Sequence, residues 1–320
     1  ADPDFVKKTM EDRVDDIVRC VSCDQGCVER MFAGHGVSCV FNPAAGYEAQ
    51  VVVKPALEKK KVLVVGGGPA GLEAARVAAE RGHAVTLFEK TAQLGGQYLL
   101  AGFAPHKKVF AEAAVHMGYR AQKAGVDIRL YTAATPERIK ALDPDFVVVA
   151  TGSDPYIPAV PGADKPHVFE ARSVIATDNY LAARNIVVVG GGLVGLEAAE
   201  ILTEQGKTVT ILEMLDEIGK DLEMYIRPYA VAFISKHNIA THVNAACVAI
   251  EDDGIAFCKD GETVKLPCEA VVMATGARSN TAAADMVRQL GYTHKVIGDA
   301  SKPAKVLEAI WAGNAIGRTI

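Results

Sequence analysis

The chain has 320 residues, half of them apolar, which is enough material for two globular domains. Its net charge of −5, with no basic stripe, argues against nucleic acid as the main partner. No apolar run approaches the ~20 residues that span a bilayer, and the charged opening lacks a signal-peptide pattern, so we expect a cytoplasmic protein with no membrane partner.

Four of the seven cysteines lie near the amino terminus in the pattern C-x2-C-x3-C-x11-C, and they are Cys20, Cys23, Cys27 and Cys39. Clustered thiols in a chain without an export signal indicate a metal site rather than disulfides. Their spacing suits either an iron–sulfur cluster or a structural zinc. Three close ligands and a distant fourth, in a chain with glycine-rich, nucleotide-type units at 60–90 and 184–214, favour the redox cluster.

Two segments, 60–90 and 184–214, read as the same strand, glycine-rich turn, helix and second strand. Their β-branched runs do not alternate, which predicts parallel strands that are buried on both faces. Both turns fit G-x-G-x-x-G, with Gly66, Gly68 and Gly71 in the first and Gly190, Gly192 and Gly195 in the second. Such glycines allow a tight turn, close approach to a pyrophosphate and close packing of the helix. The repeat therefore predicts two nucleotide sites.

An acid ends the second strand of each unit, Glu89 in the first and Glu213 in the second. A carboxylate at this place can accept the ribose hydroxyls of a dinucleotide. At Glu213 it would also repel the 2′-phosphate of NADPH, and the following Met214 and Leu215 offer no compensating charge. The sequence therefore predicts NADH at the second site, and a solvated acid at a strand end is the alternative.

Each unit is followed by a buried strand that ends in Ala-Thr-Gly, within 146–155 and 270–280. A Gly298-Asp299 turn near the end of the chain precedes a helix, and its acid can meet a ribityl hydroxyl beside a phosphate-facing helix terminus. No cysteine lies between Cys39 and Cys247, so neither unit carries a redox dithiol in the glycine-rich region. This excludes the chemistry of glutathione and thioredoxin reductases.

These elements predict an α/β fold with two Rossmann-like nucleotide-binding domains, one inserted in the other, behind a Cys-rich cluster-binding segment. We expect the cluster segment at 1–50, a discontinuous FAD domain at 51–155 and 280–320, and an NAD(H) domain at 156–279.

The ordered motifs resemble the 2,4-dienoyl-CoA reductase, enoate reductase and trimethylamine dehydrogenase family over essentially the whole chain. The likeness is carried by the segment CVSCDQGCVERMFAGHGVSCVFNP, the first glycine turn, the EK…LGGQ run, both Ala-Thr-Gly motifs and VIGDA. It implies a 4Fe-4S cluster on the four cysteines, FAD at the first site and NADH at the second. The further cofactor-site residues that it implies are Lys90, Gly96, Gln97, Thr151, Gly152, Gly276, Gly298 and Asp299.

In this family an FMN-bearing barrel precedes these residues, and the opening ADPDFVKK resembles the end of that barrel. The resemblance thus implies an electron relay from NADH through FAD and the cluster to FMN in a barrel, on the same polypeptide or a separate chain. The relay needs no catalytic acid or base, because the cofactors carry the chemistry. A homo-oligomer remains open.

Two alternatives stay open at this point. The chain could be the electron-output half of an amine or N-methyl demethylase instead of the input half of an enoyl- or dienoyl-type reductase. It could also be a scaffold in which ADP fills the first site and no hydride is transferred.

Overall fold

The structure is a computed structural model that describes residues 1–177 and 181–320. The chain divides into two compact units, the first formed by Ala1–Gly102, Val109–Asp154 and Arg278–Ile320 and the second by Phe103–Lys108 and Pro155–Ala277. The assignment of FAD to one unit and NAD(H) to the other stays a prediction, and residues 178–180 of the predicted NAD(H) domain lie outside the described part.

The helices, in chain order, are α1 (Phe5–Met10), α2 (Val28–Phe32), α3 (Pro69–Glu80), α4 (Gly96–Ala101), α5 (Lys108–Lys123), α6 (Pro136–Leu142), α7 (Ala171–Thr177), α8 (Leu193–Glu204), α9 (Arg227–Lys236), α10 (Ala282–Gln289) and α11 (Val306–Thr319). Two 3-10 turns are added at Val14–Asp16 and Gly298–Ala300. Within residues 1–177 and 181–320, none of the helices has both the length and the hydrophobicity to cross a bilayer.

The strands, in chain order, are β1 (Lys61–Val65), β2 (Ala84–Phe88), β3 (Asp127–Arg129), β4 (Phe146–Val149), β5 (Ser153–Pro155), β6 (Val168–Glu170), β7 (Asn185–Val189), β8 (Thr208–Leu212), β9 (Ala240–His242), β10 (Ala245–Ile250), β11 (Gly254–Lys259), β12 (Glu262–Pro267), β13 (Ala270–Met273), β14 (Ala277–Ser279) and β15 (His294–Val296).

The first unit is built on a five-stranded sheet in the order β15-β4-β1-β2-β3, in which every pair is parallel. The second unit repeats this plan in a sheet of order β6-β13-β7-β8-β9, also parallel throughout. Its antiparallel β10-β11-β12 sheet is an addition to the repeat. The predicted α/β fold with two Rossmann-like domains is confirmed.

The glycine after each nucleotide-site helix ends it in the same way. After α3, Gly82 has φ +97°, and its N–H and that of His83 bond back to the carbonyls of Ala79 and Ala78. After α8, Gly206 has φ +77° and is followed by the same pair of bonds. A left-handed residue that reverses the chain in this way satisfies the last carbonyls of a helix. A glycine therefore caps the carboxyl end of both helices.

The turn between β1 and α3 brings two stretches of backbone into direct contact. Gly66 has φ +109°, and a Cβ atom added there would lie 2.3 Å from the carbonyl oxygen of Ala150. A Cβ added at Gly71, one helical turn on, would lie 2.0 Å from the carbonyl oxygen of Gly66. At Gly68, between them, nothing lies within 4 Å of the added atom. Two of the three motif glycines thus serve packing, and the third faces open space.

Helix α11 lies against α3 with equally little clearance. An added Cβ at Gly313 would lie 2.3 Å from the carbonyl oxygen of Ala70. The buried Glu73 carboxylate accepts hydrogen bonds from Arg76 at 2.6 Å and from the Asn314 amide at 2.8 Å. Burial alone would raise the pKa of Glu73, but the guanidinium outweighs it and the pKa is lowered. The last helix of the chain therefore fixes the helix that begins at the first glycine turn.

Replacement of Gly71 by Ala should destabilise the cofactor-free protein, because the methyl group meets backbone that cannot turn aside. We expect a loss of about 1–3 kcal/mol in the free energy of unfolding, equivalent to about 2–4 °C in melting temperature per kcal/mol. Gly68→Ala is the matched control and should stay within about 0.5 kcal/mol. Equal melting temperatures for the two variants would contradict this account of the turn.

Candidate functional site

In the first unit, three separate glycine-containing loops meet at the amino terminus of α3. Gly68 is the residue before the helix, and a Cβ added at Gly96 would lie 3.2 Å from its Cα. Gly298, with φ +58°, approaches the first turn of α3 so closely that its Cβ would lie 2.9 Å from the Ala70 methyl group. The open space beside Gly68 and the N–H groups of the first turn of α3 suit the pyrophosphate of a dinucleotide.

A chain of hydrogen bonds joins the LGGQ, first Ala-Thr-Gly and VIGDA motifs. The side-chain amide of Gln97 donates to Ser153 Oγ at 3.0 Å and to the Ser153 carbonyl at 3.3 Å. Ser153 Oγ in turn donates to the Asp299 carboxylate at 3.2 Å, whose other oxygen accepts the Ala304 N–H. The structure thus brings Gln97 and Asp299 together, through a serine that sequence reasoning did not single out.

The other predicted residues of the first site differ in their surroundings. Thr151 Oγ1 donates to the carbonyl of Asn280 at 3.1 Å, and the Asn280 N–H donates to the carbonyl of Gly152 at 3.0 Å. These bonds fix the end of β4 beside the glycine turn. Lys90 is exposed, and among the described residues no hydrogen bond or ion pair joins it to the rest of the site.

The acid that ends the second strand of each repeat is buried and already hydrogen-bonded. In the first unit Glu89 Oε2 accepts the Gly67 N–H at 2.8 Å, and Oε1 accepts the Thr91 N–H at 2.8 Å. In the second unit Glu213 Oε2 accepts the Gly191 N–H at 2.7 Å, and Oε1 accepts the Leu215 N–H at 2.7 Å. Each carboxylate therefore holds the glycine turn in place, a role that sequence reasoning missed. Glu89 Oε1 also accepts the Thr91 hydroxyl at 2.8 Å. Glu89 Oε2 and the two oxygens of Glu213 each keep a lone pair with which they could accept a ribose hydroxyl.

In the second unit the corresponding turn repeats the same close approach. A Cβ at Gly190 would lie 2.3 Å from the carbonyl oxygen of Ala274, and one at Gly195 would lie 1.9 Å from that of Gly190. After the second Ala-Thr-Gly motif, Gly276 has φ +100° and its carbonyl accepts the Tyr156 N–H at 2.9 Å. The residues predicted for this site thus lie on one turn and on the end of the strand beside it.

An aspartate shows what the amino terminus of α8 attracts. Both carboxylate oxygens of Asp221 lie 3.1 Å from the Leu193 N–H, in the first turn of the helix. A Cβ added at Gly192 would lie 3.0 Å from the same carboxylate. An exposed helix terminus favours negative charge, and in this structure the Asp221 carboxylate supplies it.

The four amino-terminal cysteines gather around Cys23. Burial raises the pKa of the Cys23 thiol to about 11, and like charge on the other three thiols adds to the rise. Cys20 is exposed, and its sulfur accepts the Ser22 N–H at 3.4 Å. A bound metal stabilises thiolates outright, so a cluster here would offset the charge repulsion between them.

The loop that carries these thiols is held by one glycine and one tryptophan. A Cβ added at Gly26 would lie 2.9 Å from the Cα of Cys39, and the Gly26 carbonyl accepts the Ser38 N–H at 2.6 Å. The indole N–H of Trp311 donates to the carbonyl of Cys39 at 3.2 Å. The distant fourth cysteine is thereby fixed against the first three, by residues that the cysteine spacing does not reveal.

The thiol sulfurs are spread more widely than zinc ligands. Ligands of a tetrahedral zinc with Zn–S bonds of 2.3 Å lie about 3.8 Å from one another. Over residues 1–177 and 181–320, the trio His106, Glu200 and Glu204 has ligand atoms within 4.8 Å of one another, whereas no three of the four thiols do.

The remaining cysteines lie on or beside the second unit's strands, where burial raises the pKa of Cys247 and Cys268 to about 11.

Comparison with known proteins places this site in a family. Residues 60–300 match the pyridine nucleotide-disulphide oxidoreductases. The chain is 38% identical over 304 residues to bilirubin reductase of Mediterraneibacter gnavus, covering 95% of this chain and 47% of the relative. It is also 38% identical over 320 residues to NADH oxidase of Thermoanaerobacter brockii, covering 98% and 49%.

Among solved structures, a 2-naphthoyl-CoA reductase complex superposes with a TM-score of 0.94 at 35% identity, over 100% of this chain and 49% of that one. The chain thus spans about half the length of the relatives that it matches. The family implies FAD and a pyridine nucleotide as cofactors. The chain belongs to the pyridine nucleotide-disulphide oxidoreductases and corresponds to their module in the enoate-reductase family, as the sequence motifs predict.

Proposed function

We propose that this oxidoreductase module takes electrons from NADH, at the second unit, and passes them through FAD to a 4Fe-4S cluster in the first unit. The observation that carries the proposal is that Tyr98, next to the flavin-motif residue Gln97, shares one hydrophobic core with Cys23 and Cys39. Motifs for a flavin and for a cluster therefore occur in one compact unit. In such a relay the flavin accepts a hydride and the cluster accepts single electrons.

One feature of the first unit, a hydrogen-bonded chain of side chains, supports FAD rather than ADP at the first site. The bonded chain from Gln97 to Asp299 belongs to motifs that lie beyond the pyrophosphate turn, where a flavin nucleotide needs polar partners for its ribityl chain. An ADP scaffold would need the glycine turn and Glu89 alone. Bound oxidised flavin absorbs visible light and bound ADP does not, so a spectrum of the purified protein separates the two.

The spacing of the four cysteines, three close in sequence and one distant, beside a flavin motif in the same compact unit, supports an iron–sulfur cluster over zinc. Cys20, Cys23, Cys27 and Cys39 would ligate the iron, with Gly26 and Trp311 placing the last ligand. The two reductases among the relatives described above support the input half of a reductase over the output half of an amine demethylase. We propose that the electrons reach an FMN barrel on the same polypeptide or on a partner chain, because the relatives are about twice as long.

The cluster proposal predicts that the purified protein contains iron and acid-labile sulfide, and that Cys23→Ser loses both. Gly26→Ala should also lower the iron content, because its methyl group would meet the Cys39 backbone at 2.9 Å. Cys258→Ser and Gly36→Ala are the matched controls, since Gly36 has only an ordinary 3.5 Å contact there. Stoichiometric zinc without sulfide in the wild-type protein would contradict the proposal.

The nucleotide proposal predicts that NADH supports reduction of ferricyanide at least tenfold better than NADPH in kcat/KM, because the Glu213 carboxylate repels the 2′-phosphate. A tenfold preference corresponds to about 1.4 kcal/mol. Glu213→Gln removes the charge and should narrow the ratio.

Glu89→Gln is the control for the nucleotide experiment. It makes the same change at the equivalent residue of the other repeat, so it should lower flavin content but leave the NADH-to-NADPH ratio of the flavin-loaded molecules unchanged. If the wild-type protein prefers NADPH, a residue other than Glu213 determines the choice between the ribose 2′-hydroxyl of NADH and the 2′-phosphate of NADPH.

A further inference from the structure

Tyr98 occupies an unusual position for a polar side chain. It lies in α4, directly after Gln97, and only 8% of it is exposed. Its ring stacks on Phe110 with centroids 5.3 Å apart, and Phe41 meets it edge-on at 6.0 Å. Phe41 is two residues beyond Cys39, so the cluster-binding loop itself forms one wall of this aromatic pocket.

The hydroxyl group of Tyr98 is buried and, among the described residues, has no hydrogen-bond partner. Buried tyrosine hydroxyls usually find an acceptor. A phenol keeps its proton at neutral pH, so the group is a hydrogen-bond donor. The side chain therefore offers an unused donor in the same hydrophobic core as Cys23 and Cys39.

We propose that the Tyr98 hydroxyl donates a hydrogen bond to a sulfur atom of the cluster held by Cys23, and thereby raises the cluster's reduction potential. The inference rests on the proposed cluster. Reduction adds an electron and makes the sulfur atoms more negative, so a donor stabilises the reduced form more than the oxidised form. The proton stays on the phenol throughout. Tyr98 is thus a positioning and tuning residue rather than a catalytic one.

With this hydrogen bond, the aromatic pocket both fills space and orients the Tyr98 hydroxyl. Phe110 and Phe41 fix the ring, so that the hydroxyl keeps one direction, and they exclude water that would otherwise satisfy it. A phenylalanine would fill the same space without leaving a buried donor unpaired. Tyr47, close to the same loop, differs because its hydroxyl oxygen already accepts a hydrogen bond from Arg30 at 3.0 Å.

Tyr98→Phe tests the proposal, because it removes one oxygen atom and keeps both ring contacts. In the flavin-loaded full chain, iron and sulfide content should stay at the wild-type level. The cluster should become harder to reduce by about tenfold in its equilibrium constant, or ~59 mV for one electron. The readout is a redox titration followed by electron paramagnetic resonance, and Tyr47→Phe should leave the potential unchanged.

An intact cluster with an unchanged potential in Tyr98→Phe would overturn the inference while leaving the proposed function standing. If that variant loses its cluster, the iron–sulfur vibrations of the wild-type protein decide instead. They should shift between H₂O and D₂O if a hydroxyl proton is bonded to sulfur, and identical spectra would overturn the inference. Wild-type protein without iron and sulfide would refute both the cluster and the role of Tyr98.

Discussion

Backbone lies directly against backbone at the start of α3 and of α8, and the arrangement of both units depends on this contact. A Cβ added at Gly71 would lie only 2.0 Å from the carbonyl oxygen of Gly66, and the turn at Gly190 and Gly195 repeats this close contact. The helix terminus is thereby held at the carboxyl edge of its sheet, where parallel strands end and their loops can meet. In the first unit those loops bring glutamine, serine and aspartate side chains into one hydrogen-bonded chain.

The two repeats keep this turn and differ in what surrounds it. The glutamate of each GLEAA segment is buried, but Glu73 is paired within its own helix by Arg76 and its pKa is lowered. At Glu197, burial raises the pKa of the carboxyl group by more than the neighbouring Lys107 lowers it, so the pKa of Glu197 is raised. The packing around the two nucleotide-site helices differs as well. In the first unit α11 packs against α3, whereas the second unit contains an additional antiparallel sheet. Such differences fit a duplicated fold that serves two cofactors.

The sequence sufficed for the strands, the glycine turns and the fold class, because buried parallel strands and glycine spacing are local signals. It could not place Phe103–Lys108, which belongs to the second unit although its neighbours on both sides belong to the first. An Asp-Gly pair is typical of tight hairpin turns, and Asp260 and Gly261 both have positive φ where they join β11 to β12. Tyr98, Gly26 and Ser153 were missed because their roles arise from contacts between segments distant in the chain, which no motif records.

In the proposed relay, electrons pass from NADH through the flavin to the four-cysteine site. An anaerobic titration of the full chain with NADH tests it most directly, with visible absorbance reporting the flavin and electron paramagnetic resonance reporting the cluster. We expect the flavin to bleach and a reduced-cluster signal to follow, and we expect Cys23→Ser to show the bleaching alone. A wild-type protein whose flavin is fully reduced by excess NADH while an intact cluster stays oxidised would contradict it.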